Sequence, residues 1–73
     1  MNDSEILDEL ADILNAEPGT LTSETALDSV RWDSMALLAY QAFLRFHFGK
    51  VLPGVSCADF RTVGDLMKKA AAE

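Results

Sequence analysis

Few residues of this 73-residue chain are of the types that carry out chemistry, and most of these stand alone. His47 is the only histidine and Cys57 the only cysteine, so a metal site of the usual His/Cys type lacks ligands. Cys57 has no obvious base and fits a small structural thiol, while His47 lies near a predicted helix end, where it meets the helix dipole favourably. No Gly-rich phosphate loop occurs, and nothing sets the geometry of a Ser-His-Asp triad. We therefore expect no catalytic residue and no metal site.

Ser34 differs from these residues because of its setting. Asp33 is a good N-cap for a predicted helix, which places Ser34 in the first turn with an exposed, accessible and rigidly held hydroxyl. Backbone N–H groups at such a helix start can accept a phosphate group. From this dipeptide alone, however, a capping pair with no further role is the stronger interpretation.

The first predicted helix begins after Asn2, which caps it with Glu5 as the capping-box partner three residues later. Apolar residues then recur at helical spacing as far as Leu14, and Pro18-Gly19 is expected to end the helix. A loop rich in Thr, Ser, Asp and Glu follows over about residues 20–33. Four apolar residues predict that this loop contacts the bundle: Leu21, Ala26, Leu27 and Val30.

The second predicted helix runs from about Ser34 to Phe48, and Gly49 fits the position that ends it. After a turn at Pro53-Gly54, a short helical turn is expected over residues 56–60. Thr62 caps the last helix, with an acidic residue at the capping-box position. Since no segment alternates in the manner of a β-strand, the chain predicts an all-α bundle of three main helices plus one short helix.

Apolar residues spaced by three and four predict one buried stripe on each main helix. The expected core residues are Ile6, Leu10, Ile13, Leu14, Leu37, Tyr40, Leu44, Phe48, Val63 and Leu66.

Size and charge limit the classes of function. The chain allows one domain over residues 1–73, too small for a deep active-site cleft, and we expect a monomer. A free-standing protein is favoured over a domain of a larger synthase, although both alternatives stay open. Residues 1–33 carry a charge of −8 and residues 34–73 a charge of +2, so the chain repels nucleic-acid phosphates. No apolar run approaches the roughly 20 residues that cross a bilayer. A single cysteine forms no internal disulfide, which favours the cytoplasm.

The wider pattern around Ser34 resembles acyl carrier proteins over essentially the whole chain. Residues 30–35, VRWDSM, resemble the family's Asp-Ser-Leu attachment motif, with Met in place of the usual Leu. Phe48-Gly49 follow the serine by fourteen and fifteen residues, Pro53 follows it by nineteen, and Thr62-Val63 opens the last helix, as in that family. Asp28-Ser29 does not match, because no helix stop follows at the same spacing.

The resemblance implies a carrier protein with no enzymatic activity of its own. A separate phosphopantetheinyl transferase would move phosphopantetheine from coenzyme A to the Ser34 hydroxyl beside Asp33, using magnesium. The thiol of this arm would then hold an acyl-type cargo as a thioester, and the carrier would deliver it among acyl-loading and acyl-processing enzymes. The bundle would shelter the cargo between its helices.

Two departures from the family favour a specialised pathway. Arg31 stands where many members have Gly, three residues before the serine, and is expected to alter how the loop meets a transferase. Ser34 to Phe48 contains no acidic residue, whereas fatty-acid-type carriers usually bear several there. Polyketide, nonribosomal peptide or modified-lipid assembly therefore fits better than housekeeping fatty-acid synthesis. The cargo stays open between fatty, polyketide, aminoacyl and aryl groups.

A second face of the Ser34 helix is also apolar, beside the stripe assigned to the core. Met35, Ala39, Ala42 and Phe46 follow the spacing i, i+4, i+7 and i+11. Because exposed apolar patches commonly mark binding sites, we expect this face to contact partner enzymes, mainly through hydrophobic contact. One alternative is that the other helices cover it. Another is a small helical adaptor that binds a partner and is never modified.

Overall fold

The computed structural model describes residues 2–71, which form three α-helices and two short 3₁₀ turns. In chain order these are α1 (Asp3–Ile13), the first 3₁₀ turn (Leu27–Ser29), α2 (Ser34–Phe48), the second 3₁₀ turn (Cys57–Asp59) and α3 (Val63–Ala71). The predicted all-α bundle is confirmed. The first 3₁₀ turn was not predicted. Within residues 2–71 no helix is long and apolar enough to cross a membrane.

Helix α1 begins as expected but ends earlier than Pro18-Gly19. Asn2 and Glu5 form the capping box, with the Glu5 N–H 2.9 Å from the Asn2 side-chain oxygen. The helix ends at Ile13 because Asn15 adopts the left-handed conformation, with φ of 55°. The Ala16 N–H then donates to the carbonyl of the residue five positions earlier at 2.8 Å, which satisfies a carbonyl left open at the helix end. Asparagine tolerates this conformation better than most residues.

The other helix ends follow the sequence closely. Gly49 ends α2 with φ of 65°, a left-handed conformation that costs glycine little. At the start of α3, an Asp65 carboxylate oxygen accepts the Thr62 N–H at 3.1 Å, and the Thr62 hydroxyl accepts the Asp65 N–H at 3.3 Å. Lys50 supports the other end of α3, where its Nζ lies 2.9 Å from the Ala70 carbonyl.

The core lies where the three helices and the two connecting segments meet. Seven of the ten predicted core residues are buried, whereas Ile13, Leu37 and Phe48 are half-buried at the edge of the core. Other buried residues were not predicted to be core: Ala11, Leu21, Leu27, Ala36, Phe43, Phe60 and Ala70.

The long segment between α1 and α2 is held against the start of α3 by backbone hydrogen bonds. Leu27 donates to the Arg61 carbonyl at 2.9 Å, Val63 donates to the Thr25 carbonyl at 2.9 Å, and Ala26 forms an isolated antiparallel bridge with Thr62. The predicted contact of this loop with the bundle is therefore confirmed. It leads directly into Asp33 and α2.

Candidate functional site at the start of α2

Ser34 is the first residue of α2, and its side chain is exposed. Asp33 caps the helix: its Oδ1 accepts the Ala36 N–H at 2.9 Å, and its Oδ2 lies 3.4 Å from Nε of Arg31. The Ala36 N–H, helped by the Arg31 guanidinium, lowers the pKa of the Asp33 carboxyl below its ordinary value. Neither bond involves the Ser34 hydroxyl, which is left available for reaction on a well-capped helix start.

The approach to Ser34 is anchored by Trp32, two residues before it. The indole Nε1 donates to the Cys57 carbonyl at 3.0 Å, across 25 residues of sequence. The Trp32 ring also meets the rings of Tyr40 and Phe60 edge to face, with centroids 6.2 and 5.9 Å away. This aromatic cluster ties the residues before Ser34 to α2 and to the second 3₁₀ turn. Sequence reasoning assigned Trp32 no anchoring role, although a half-buried indole usually finds a hydrogen-bond acceptor.

Ser29, in the other Asp-Ser pair, has a different environment. It ends the first 3₁₀ turn, and its hydroxyl donates to the Ala26 carbonyl at 2.7 Å. Although exposed, this hydroxyl is engaged in a turn and does not open an α-helix. Ser29 therefore serves as a matched control for any reaction at Ser34.

The second apolar face of α2 is uncovered. Met35 is 70% exposed and Phe46 is 85% exposed, and Ala39 and Ala42 are exposed between them. The predicted exposure of this face is therefore confirmed, and the alternative that the other helices cover it is wrong. Leu38, 64% exposed, extends the same surface and was missed, although it follows Met35 by the three residues that separate neighbours on a helix. A partner-binding role for these residues stays a prediction.

Comparison of the chain with protein-family models, with curated proteins and with solved structures finds no match. The resemblance to acyl carrier proteins therefore rests on the residues of this chain and stays a prediction.

In the part of the chain that the structure describes, the remaining reactive side chains do not assemble into a second site. Cys57 is half-buried in the second 3₁₀ turn, and His47 is exposed near the end of α2 beside the rings of Phe43 and Phe46. Within residues 2–71, no group of three His, Cys, Asp or Glu side chains is placed to hold a metal ion.

Proposed function

We propose that this protein is a carrier that holds an acyl-type intermediate as a thioester on a phosphopantetheine arm attached to Ser34. The observation that carries this proposal is the exposed Ser34 hydroxyl, which opens α2 directly after the capping Asp33. The left-handed Gly49 and the capping Thr62 lie at the spacings that the resemblance to carrier proteins implies. Gly49 ends α2 and Thr62 caps α3, so the residues at these spacings stand at real helix boundaries. This supports the proposal beyond the Asp-Ser pair alone.

The attachment is a phosphoryl-group transfer catalysed by a separate transferase with magnesium. The Ser34 oxygen forms a bond to the phosphorus that bears pantetheine, and the bond from that phosphorus to the nucleotide part of coenzyme A breaks. Adenosine 3′,5′-bisphosphate leaves with the electron pair, and the hydroxyl proton passes to a base of the transferase. Ser34 supplies the anchoring oxygen and this protein performs no catalysis of its own.

The neighbouring residues present the hydroxyl for this reaction. Asp33 holds the first turn of α2, and Trp32 ties the preceding backbone to the second 3₁₀ turn. Arg31 is exposed beside Asp33, on the approach that a transferase would use. The cationic and apolar character of α2 favours a specialised pathway, such as polyketide, nonribosomal peptide or modified-lipid assembly. The single cysteine favours the cytoplasm as the place where the carrier works.

The proposal is tested by intact mass measurement after incubation with coenzyme A, magnesium and broad-specificity phosphopantetheinyl transferases. The wild-type protein should gain one phosphopantetheine. Ser34→Ala should gain none, because it lacks the acceptor oxygen, whereas Ser29→Ala should be modified like the wild type. Circular dichroism of both variants checks that each is folded. A wild-type protein that several transferases leave unmodified, or a modified Ser34→Ala, would contradict the proposal.

An unmodified helical adaptor is the second candidate, because the exposed apolar face of α2 can bind a partner without any arm. The same experiment separates the two functions. An adaptor needs no oxygen at residue 34 and keeps its partner when Ser34 is replaced by Ala, whereas a carrier loses its cargo.

A further inference from the structure

The exposed face of α2 borders a groove of about 430 Å³ between this helix and the segment that follows it. Leu38 and Ala42 form the helix side of the groove, and Val51 and Leu52 form the opposite side. Val51 is 70% exposed, so a large apolar side chain also projects from the second wall. The apolar surface around Met35 and Phe46 therefore continues into a concave site, the shape that receives a side chain of a partner.

Hydrogen bonds at both ends hold the far wall of this groove in place. Gln41 Nε2 donates to the Leu52 carbonyl at 3.3 Å and ties the segment to α2. Lys50 Nζ donates to the carbonyls of Lys69 and Ala70, at 3.1 and 2.9 Å, and ties the start of the segment to α3. The groove is thus formed before any partner binds, which lowers the ordering cost of binding.

The charge around the groove has the opposite sign to that of the whole chain. Helix α2 contains no acidic residue, while the chain has a net charge of −6. Arg45 is exposed on the rim of the groove, and its side chain makes no ion pair within residues 2–71. The Lys50 ammonium group already donates hydrogen bonds to carbonyls at the end of α3. Most acidic side chains of α1 are exposed on a different helix, so a negatively charged partner meets less repulsion at the α2 face than at α1.

We infer that this face, defined by Met35, Leu38, Ala42, Arg45, Phe46 and Val51, binds a protein partner whose contacting segment presents large apolar side chains flanked by carboxylates. The apolar side chains supply most of the affinity, and Arg45 orients the partner by pairing with a carboxylate at the rim. This interaction does not depend on modification of Ser34, so it stands or falls separately from the carrier function.

The test uses two synthetic amphipathic helical peptides with the same leucine face, one flanked by glutamates and the other by lysines. Each is titrated into isotopically labelled Ser34→Ala protein at low salt, and amide shifts are followed by NMR. The acidic peptide should shift the amides of α2 and of residues 50–54. The net charge alone favours the basic peptide, so the proposal and simple electrostatics predict opposite preferences.

Two charge reversals locate the interaction. Arg45→Glu should weaken binding of the acidic peptide at least about threefold, because it reverses the rim charge. Arg61→Glu makes the same change in charge on another exposed surface and should leave the affinity nearly unchanged. The inference is overturned if the two reversals weaken binding equally, if the basic peptide binds this face as tightly, or if neither peptide binds it.

Discussion

Single side chains hold the candidate site in place, and Tyr40 is central among them. It is fully buried in α2, its ring meets Trp32 and Phe60, and its hydroxyl donates to the Leu66 carbonyl at 2.7 Å. The tyrosine therefore connects α2 and α3, and through Trp32 it reaches the residues before Ser34. The contacts that keep Tyr40 buried therefore also hold the start of α2 in place.

The ionisation of Tyr40 should make the protein less stable at high pH. Burial raises the pKa of its hydroxyl above the ordinary value, because the interior disfavours the phenolate. The unfolded chain ionises near pH 10, and above this pH the folded state binds more protons than the unfolded one. Stability should therefore fall as the pH rises beyond about 10.

Urea denaturation across this range measures the effect, and near-ultraviolet absorbance of tyrosinate reports the ionisation directly, since Tyr40 is the only tyrosine. Tyr40→Phe is the matched control: it loses the bond to the Leu66 carbonyl, at a cost of about 0.5–1.5 kcal/mol, and should show a weaker decline with pH. Tyrosinate absorbance in the folded protein near pH 10 would contradict the buried position of the ring.

At the scale of one element, α2 has a buried face and an exposed face that lie next to each other around the helix axis. Phe43 is 6% exposed and contacts the Phe48 ring edge to face, with centroids 5.7 Å apart, whereas Phe46 points to solvent. Phe43→Ala should destabilise the fold by about 3–5 kcal/mol, because it leaves a cavity in the core. Phe46→Ala should change stability by less than about 0.5 kcal/mol.

Thermal and urea melts compare the stability of the two variants. Both replace Phe by Ala, at positions three residues apart, so each is the control for the other. A large destabilisation by Phe46→Ala would show that this residue belongs to the core. If both variants melt like the wild type, Phe43 does not belong to the core.

The sequence predicts the three helices well, since caps and helical spacing are local features. It places Phe48 in the core and overlooks Phe43, because α2 is apolar on nearly every side and periodicity alone cannot choose between neighbouring stripes. That choice depends on where α1 and α3 cross α2. The capped, exposed Ser34 is likewise a local feature and was predictable. The anchoring of Trp32 by Cys57 joins residues far apart in the chain, which no local pattern specifies.

At the scale of the whole molecule, the segment before α2 depends on close backbone contact with α3. The Gly64 N–H donates to the Ser23 carbonyl at 2.8 Å. A Cβ on Gly64 would lie 2.7 Å from that same carbonyl oxygen, so only glycine allows the two backbones to approach this closely. The contact helps to hold the segment that leads from α1 to Ser34.

Gly64→Ala should therefore destabilise the protein, although alanine is the better helix former by about 1 kcal/mol. The added methyl group must push the Ser23 carbonyl away, weakening the hydrogen bond that holds the segment, and overpacking of this kind costs about 1–3 kcal/mol. Hydrogen exchange should quicken at the amides of Val63 and residue 64, and the urea midpoint should fall. Lys69→Ala, at an exposed position of the same helix, is the control and should be nearly neutral. A Gly64→Ala protein more stable than the wild type would show that helix propensity outweighs this contact, and that the segment before Ser34 is held in another way.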